Sequence, residues 1–202
     1  MRIAFRVDAA LAIGTGHVMR CLTLAHELRE QGANCVFICR QHQGHMAGLI
    51  QQRGFGCHLL ALSETPYLPQ SDDLAHAAWL GASWQQDAQQ TLALLAEPVD
   101  WMVVDHYAID ARWQASVKVG YQRLLVIDDL ADREHLADVL LDQTYGRQVA
   151  DYQSLVPQQC QLLLGSTYAL LRPEFAQWRE ASLKRRKLQT NIQNILISMG
   201  GI

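Results

Sequence analysis

The sequence predicts an α/β fold in which a parallel β-sheet carries helices on both faces. Short apolar runs that suit buried strands alternate along the chain with segments whose apolar residues recur every three or four positions, as in amphipathic helices. Strands that alternate with helices form a parallel sheet covered on both sides. The chain has 202 residues and half of them are hydrophobic, which is enough for one substantial core.

The individual elements follow from these patterns and from the residues that punctuate them. The predicted strands are residues 3–7, 34–39, 57–61, 100–105, 122–127, 139–141, 161–164 and 191–198. The predicted helices are residues 18–28, 45–52, 83–96, 111–119 and 173–187, with irregular connections at 62–82 and 143–159. Ser83 and Asp110 are expected to cap their helices, and Pro173 is tolerated in the first turn of the last helix.

Composition and charge argue against several functional classes. The net charge of −3 is unlike that of a nucleic-acid-binding protein, which is normally basic. No apolar run approaches the roughly 18–20 residues needed to span a bilayer, and the chain starts with a strand pattern rather than a signal peptide. The five cysteines form no regular framework and fit reduced thiols. We therefore expect a cytoplasmic protein without nucleic-acid or membrane partners.

The most informative stretch is a strand, a tight turn and a helix near the start of the chain. Gly14 and Gly16 bracket the turn, where a side chain would block the close approach of a ligand. His17 follows in the first turn of the helix, at the carboxyl end of the first strand, where open α/β sheets bind ligands. The positive helix end disfavours a protonated imidazole, so His17 could accept a proton. The alternative is that His17 only caps the helix or packs against the sheet.

Other common catalytic motifs are missing or ambiguous. The first turn lacks the third glycine of a dinucleotide fingerprint, and the second strand ends in Cys39 and Arg40 rather than in an acidic residue. Neither a phosphate-binding loop with Gly-Lys-Ser/Thr nor a Gly-x-Ser-x-Gly nucleophile elbow occurs. Carboxylates that follow predicted strands could pair for acid–base chemistry, bind a divalent metal, or only cap helices and order loops; they are Asp105, Asp128, Asp129 and Asp142.

Several motifs occur in the order found in a known family. They are Phe5-Arg6-x-Asp8, Ile13-Gly-x-Gly-His17-x-x-Arg20, Asp105-His-Tyr107, Leu125-Val-Ile-Asp-Asp129, Leu164-Gly-x-x-Tyr168 with Arg172, and Ile197-Ser-Met-Gly-Gly201. In these motifs, which extend over almost the whole chain, the sequence resembles the UDP-sugar hydrolases of pseudaminic acid biosynthesis. Those enzymes are relatives of two-domain glycosyltransferases with the GT-B architecture.

The resemblance implies a domain organisation and a reaction. Residues 1–188 would form an N-terminal Rossmann-like domain, and residues 189–202 would begin a second domain that holds the uridine and diphosphate and is otherwise missing from this chain. The family hydrolyses the bond between the anomeric carbon of its sugar and the UDP oxygen, with inversion. It needs neither a metal nor a cofactor, so none is expected here.

The resemblance also implies roles for individual residues. His17 matches the family's general base, which activates the attacking water, and Tyr107 matches a tyrosine close to the reacting sugar. Contacts to the UDP-sugar are expected from Asp8, Gly14, Gly16, Arg20, Asp105, His106, Tyr168 and Arg172. Two alternatives remain: a glycosyltransferase in which His17 deprotonates a sugar acceptor, and a module that binds sugar nucleotides without turnover.

Overall fold

Seven parallel strands form a single sheet in the computed structural model, which describes residues 1–63, 67–189 and 191–197. The strands are β1 (Arg2–Val7), β2 (Asn34–Arg40), β3 (Gly56–Leu60), β4 (Val99–Asp105), β5 (Tyr121–Ile127), β6 (Val139–Asp142) and β7 (Gln161–Leu164). Their order across the sheet is β3-β2-β1-β4-β5-β6-β7, and each neighbouring pair is parallel.

The described part of the chain also contains five α-helices and four short 3-10 helices, of which the last of each kind follows β7. The α-helices are α1 (Gly16–Glu30), α2 (Ala47–Gln52), α3 (Trp84–Leu94), α4 (Ala111–Ser116) and α5 (Pro173–Leu188). The 3-10 helices are Ala77–Leu80, Lys118–Gly120, Val149–Asp151 and Ser166–Tyr168. Ser83 and Asp110 cap α3 and α4 through their side chains, as expected. Within the ranges that the structure describes, no helix has the length and apolar character needed to cross a membrane.

Helices cover both faces of the sheet, so the core has two layers. On one face, Val18 and Cys21 of α1 pack with Phe5 and Phe37 of the central strands. On the other face, Trp113 of α4 packs with Met102 and other residues of the sheet. The alternation of side chains along each strand divides its apolar residues between the two layers. The predicted parallel α/β fold is confirmed.

The strand order creates a crevice beside the first strand. The chain passes from β1 through α1 to β2 on one side, and later returns to place β4 on the other side of β1. Loops that leave the carboxyl ends of β1 and β4 therefore diverge, and open α/β sheets bind their ligands at such a switch point. The loop that leads to His17 follows β1, and Asp105 ends β4.

A network of buried charges ties β1, β2 and α3 together beneath this crevice. Arg6 donates hydrogen bonds to Asp8 at 2.7 Å and to Asp87 at 2.6 and 3.1 Å. Arg40 also donates to Asp87, at 2.6 Å, and the indole Nε1 of Trp113 donates to it at 2.9 Å. All five side chains are fully buried. Since each charge faces opposite charges, the network is expected to fix the relative positions of these elements.

One predicted strand is wrong as far as the structure describes it. Residues 191–197 adopt no regular secondary structure and are all exposed, and position 198 lies outside the described residues. The alternation of Ile192 with later apolar residues has the pattern of a buried strand, but a strand also needs a neighbour to pair its backbone groups. Within the described ranges, this segment has no such neighbour. Whether residues 189–202 begin a second domain stays a prediction.

His135 should make the stability of the fold depend on pH. Burial, reinforced by the charge of Arg133, lowers the pKa of His135 from 6.5 to about 4. The unfolded chain therefore binds the proton more readily, and stability present above pH 6.5 is lost as the pH falls towards 4. The loss attributable to this histidine should be about 3 kcal/mol. Urea unfolding at pH 7 and pH 4 should show a smaller loss for His135→Gln than for the wild type; equal losses would contradict the prediction.

Candidate active site

His17 is held at the start of α1 by a turn that depends on glycine. Gly14 has a φ of +81°, in the region that favours glycine, and its N–H donates to the carbonyl of Ala10 at 2.8 Å. A Cβ atom at Gly16, by contrast, would meet no described atom within 4 Å beyond its chain neighbours and the backbone of its own helix, so packing does not require a glycine there. Gly16 therefore leaves open space beside His17, which a ligand could occupy.

The carboxylate of Asp105 connects the side chains of α1. It is fully buried, and its Oδ1 lies 2.6 Å from Nδ1 of His17. Arg20 donates to both oxygens of Asp105, from Nε and from a terminal nitrogen, each at 2.6 Å. His17 and Arg20 lie one helical turn apart and thus face the same carboxylate.

This arrangement determines which nitrogen of His17 carries the proton when the ring is neutral. Burial acts to raise the pKa of Asp105, but the hydrogen bonds from Arg20 and the proximity of His17 outweigh it and hold the pKa well below its usual range. An ionised Asp105 can only accept, so Nδ1 of His17 must be the donor. Within the described part of the chain, Nε2 makes no hydrogen bond, and 8 % of the side chain is exposed. His17 can therefore accept a proton at Nε2.

Tyr107 and Asp129 complete the group, which we call the Asp105 cluster: Asp105, His17, Arg20, Tyr107 and Asp129. The ring of Tyr107 packs edge-on against His17 with centroids 4.7 Å apart. Its hydroxyl donates to Oδ1 of Asp129, while Arg20 donates to Oδ2 of Asp129 at 3.0 Å. Burial and the hydrogen bond to Asp129 raise the pKa of Tyr107 well above its ordinary value, so its hydroxyl stays protonated.

An aromatic pair from the connection before α3 extends this cluster. The ring of Trp79 stacks on Tyr107 with centroids 5.8 Å apart, and His76 contacts both rings at 4.6 and 5.4 Å. Sequence reasoning does not single out this connection, because the segment has no periodicity and no recognisable motif. A tryptophan and a histidine three residues apart within such a segment are the only signal that it offered.

Asp8 and His106 lie behind the site rather than on its surface. Asp8 is fully buried and accepts from Arg6 and, at 2.6 Å, from the backbone N–H of Arg40. His106 is also buried; its Nδ1 accepts from the N–H of Ala108, and its Nε2 lies 3.2 Å from Asp8 but is poorly aligned for a hydrogen bond. Both side chains are buried, and the substrate contact expected of them stays a prediction.

Tyr168 and Arg172 are not brought to the Asp105 cluster by any polar contact in the described residues. Tyr168 is 43 % exposed at the end of a 3-10 helix. Arg172 lines a groove of about 230 Å³ between α1 and the start of α5, together with Thr23 and His26. Arg20 does belong to the cluster, where its guanidinium is engaged by Asp105 and Asp129.

Asp128 and Asp129, the adjacent carboxylates after β5, have different roles. Asp128 points into the core, where the hydroxyl of Tyr152 donates to it at 2.8 Å, whereas Asp129 joins Tyr107 and Arg20. The sequence placed both at this edge of the sheet but could not tell which one faces the crevice. Among the residues that the structure describes, no three His, Cys, Asp or Glu side chains are grouped to hold a metal ion.

The sheet, its order and the crevice beside β1 define an α/β Rossmann-like fold. A solved structure of similar fold is that of the Arabidopsis thaliana protein UGT89C1 complexed with UDP. The two agree with a TM-score of 0.56 at 11 % sequence identity, over 84 % of this chain and 49 % of that one. At this identity the likeness concerns the fold alone.

Two curated proteins are related in sequence along the whole chain. One is the UDP-2,4-diacetamido-2,4,6-trideoxy-β-L-altropyranose hydrolase of Campylobacter jejuni, 27 % identical over 207 residues. The other is an uncharacterized protein of Methanocaldococcus jannaschii, 22 % identical over 203 residues. The chain spans 61 % and 37 % of the lengths of these proteins. No family model matches the chain. These identities indicate a distant relationship.

Removing Arg20 should destabilise the protein strongly. The change Arg20→Leu leaves the buried carboxylate of Asp105 without its cationic partner, which typically costs about 3–5 kcal/mol. The control is Arg2→Leu, which removes a surface ion pair with Glu97 and should cost no more than about 1 kcal/mol. Urea unfolding measures both changes, and similar losses for the two variants would show that the Asp105 cluster does not depend on Arg20.

Proposed function

We propose that the chain carries the catalytic base of an enzyme that hydrolyses a UDP-linked diacetamido-trideoxy sugar at its anomeric carbon with inversion. The products are UDP and 2,4-diacetamido-2,4,6-trideoxy-L-altrose, a precursor for pseudaminic acid. The observation that carries the proposal is the His17–Asp105 pair at the switch point of the sheet, with Nε2 of His17 unbonded in the described part of the chain. The named Campylobacter jejuni relative supports the choice of substrate.

The proposed reaction needs one base and a good leaving group. A water molecule attacks the anomeric carbon on the face opposite to UDP and loses a proton to Nε2 of His17. The bond between the anomeric carbon and the phosphate oxygen breaks, and its electron pair leaves with UDP. Asp105 keeps His17 in the required tautomer and stabilises the imidazolium that forms, as the carboxylate of a catalytic triad does.

Tyr107 serves this reaction through its position rather than through proton transfer. Its hydroxyl proton is donated to Asp129 and its pKa is raised, so it is not a base. Its ring holds one side of the His17 imidazole, and its oxygen retains a lone pair that can accept a hydrogen bond from the sugar. Arg20 offsets part of the negative charge of Asp105 and Asp129, which reduces their repulsion of an anionic substrate nearby.

The proposal is tested by UDP release from UDP-2,4-diacetamido-2,4,6-trideoxy-β-L-altropyranose. His17→Ala should lower the rate by roughly a hundred- to ten-thousand-fold, which is the usual contribution of a positioned base. Asp105→Asn should also slow the reaction, because the amide no longer favours the Nδ1–H tautomer. His58→Ala is the control, because His58 is exposed on β3, away from the site. EDTA should leave the rate unchanged.

Product analysis completes this experiment. Free sugar of inverted anomeric configuration is the expected product. A glycoside formed with an added sugar acceptor would instead indicate a transferase. UDP release that His17→Ala leaves unchanged, or a folded chain that binds the substrate without turnover, would contradict the proposed hydrolysis.

A further inference from the structure

We propose that His76 and Trp79 form a sugar-binding wall beside His17 that takes a pyranose carrying an acetamido group. This inference rests on the proposed function, because it assigns the sugar side of the same site. The wall lies within 6 Å of Tyr107, measured between ring centroids, and Tyr107 in turn contacts His17. A sugar that packs on these rings would have its anomeric carbon close to the base.

A 3-10 helix presents the two rings together. Its first helical residue is Ala77 and its last is Leu80, with His76 as the N-cap. Since side chains three positions apart eclipse one another in a 3-10 helix, His76 and Trp79 project on the same side. Ala77 and Leu80 form the other three-residue pair, and both are buried in the protein. The buried pair anchors the segment while the aromatic pair is directed towards Tyr107.

Gly81 fixes the place where this helix ends. It has a φ of +68°, and a Cβ atom there would lie 2.7 Å from Cε1 of His42 and 2.9 Å from Cδ of Arg40. Only glycine combines this backbone conformation with such a close approach. The chain therefore passes tightly over β2 before Ser83 caps α3, which leaves the aromatic wall little freedom to move away from the crevice.

Two tryptophans differ in burial and in the hydrogen bonding of the indole N–H, and this difference distinguishes a core tryptophan from one available to a ligand. Trp113 is fully buried and its Nε1 donates to Asp87 at 2.9 Å, as expected for a tryptophan that stabilises a core. Trp79 is only partly buried, and its Nε1 makes no hydrogen bond within the described residues. The ring nitrogens of His76 likewise have no partner there. The wall thus combines apolar ring faces with unused N–H groups.

These two properties define the ligand chemistry. Aromatic faces take the apolar C–H face of a pyranose or a methyl group, whereas the indole and imidazole N–H groups suit a carbonyl acceptor. An acetamido group supplies that carbonyl together with a methyl group. A 6-deoxy sugar with two acetamido groups, as in the proposed substrate, presents both features, whereas UDP presents neither the methyl groups nor the pyranose face.

Titration of the full chain with two separate probes tests the wall. The probes are free 2,4-diacetamido-2,4,6-trideoxy-L-altrose and UDP, followed by calorimetry and by tryptophan fluorescence. Trp79→Ala should weaken binding of the sugar about tenfold, consistent with the loss of an aromatic contact. Trp79→Phe should retain most of the affinity but lose the fluorescence change. The matched control, Trp178→Phe on exposed α5, should retain both.

The outcomes separate this inference from the proposed hydrolysis. Sugar binding that does not depend on Trp79, or no sugar binding by a folded wild-type chain, would overturn the inference that these rings bind the sugar. The same holds if UDP alone produces the whole Trp79-dependent fluorescence change. Sugar binding that needs Trp79 in a chain that releases no UDP would support the wall while the hydrolysis fails. UDP release that needs His17 but has a KM insensitive to Trp79→Ala would support hydrolysis alone.

Discussion

Asp105 accepts hydrogen bonds from His17 and Arg20 while it is removed from water, and the other polar contacts at the sheet edge follow from that arrangement. A buried carboxylate is costly unless cations and N–H groups compensate it. Arg20 provides this compensation and extends to Asp129, which in turn fixes the hydroxyl of Tyr107. The same carboxylate orients His17. Stability and the position of the base therefore depend on one interaction.

The topology of the sheet brings these groups together from distant parts of the sequence. His17 follows β1, Asp105 ends β4 and Asp129 follows β5, and all three lie at the carboxyl edge of parallel strands. Below this edge, the fully buried network of Arg6, Asp8 and Asp87 ties the strands to α3. The catalytic side chains therefore lie on elements that buried contacts hold together, which favours the precise orientation that a base requires.

The features that could be predicted are those that leave a local pattern in the sequence. Apolar runs located the seven strands, and the glycine turn before a helical stripe located His17. Asp105 ends β4 and Tyr107 lies in the turn that follows; both belong to the cluster, whereas His106 between them faces the buried Asp8, and no local pattern indicates this division. Contacts between side chains and distant parts of the chain were not predictable. The buried carboxylate of Asp8, for example, accepts a hydrogen bond from the backbone N–H of Arg40 on the neighbouring strand. Residues 191–197 have a strand pattern but no neighbouring strand in the described chain.

The tautomer of His17 tests the central claim most directly, because the account requires Asp105 to hold the proton on Nδ1 and to leave Nε2 free. Nitrogen-15 NMR of the imidazole, assigned by comparison with His17→Ala and recorded where the ring is neutral, distinguishes the two tautomers. The account predicts an Nδ1–H tautomer in the wild type, and a shift in the tautomer equilibrium in Asp105→Asn. A wild-type ring protonated at Nε2 would contradict it, since that nitrogen could not take a proton from water.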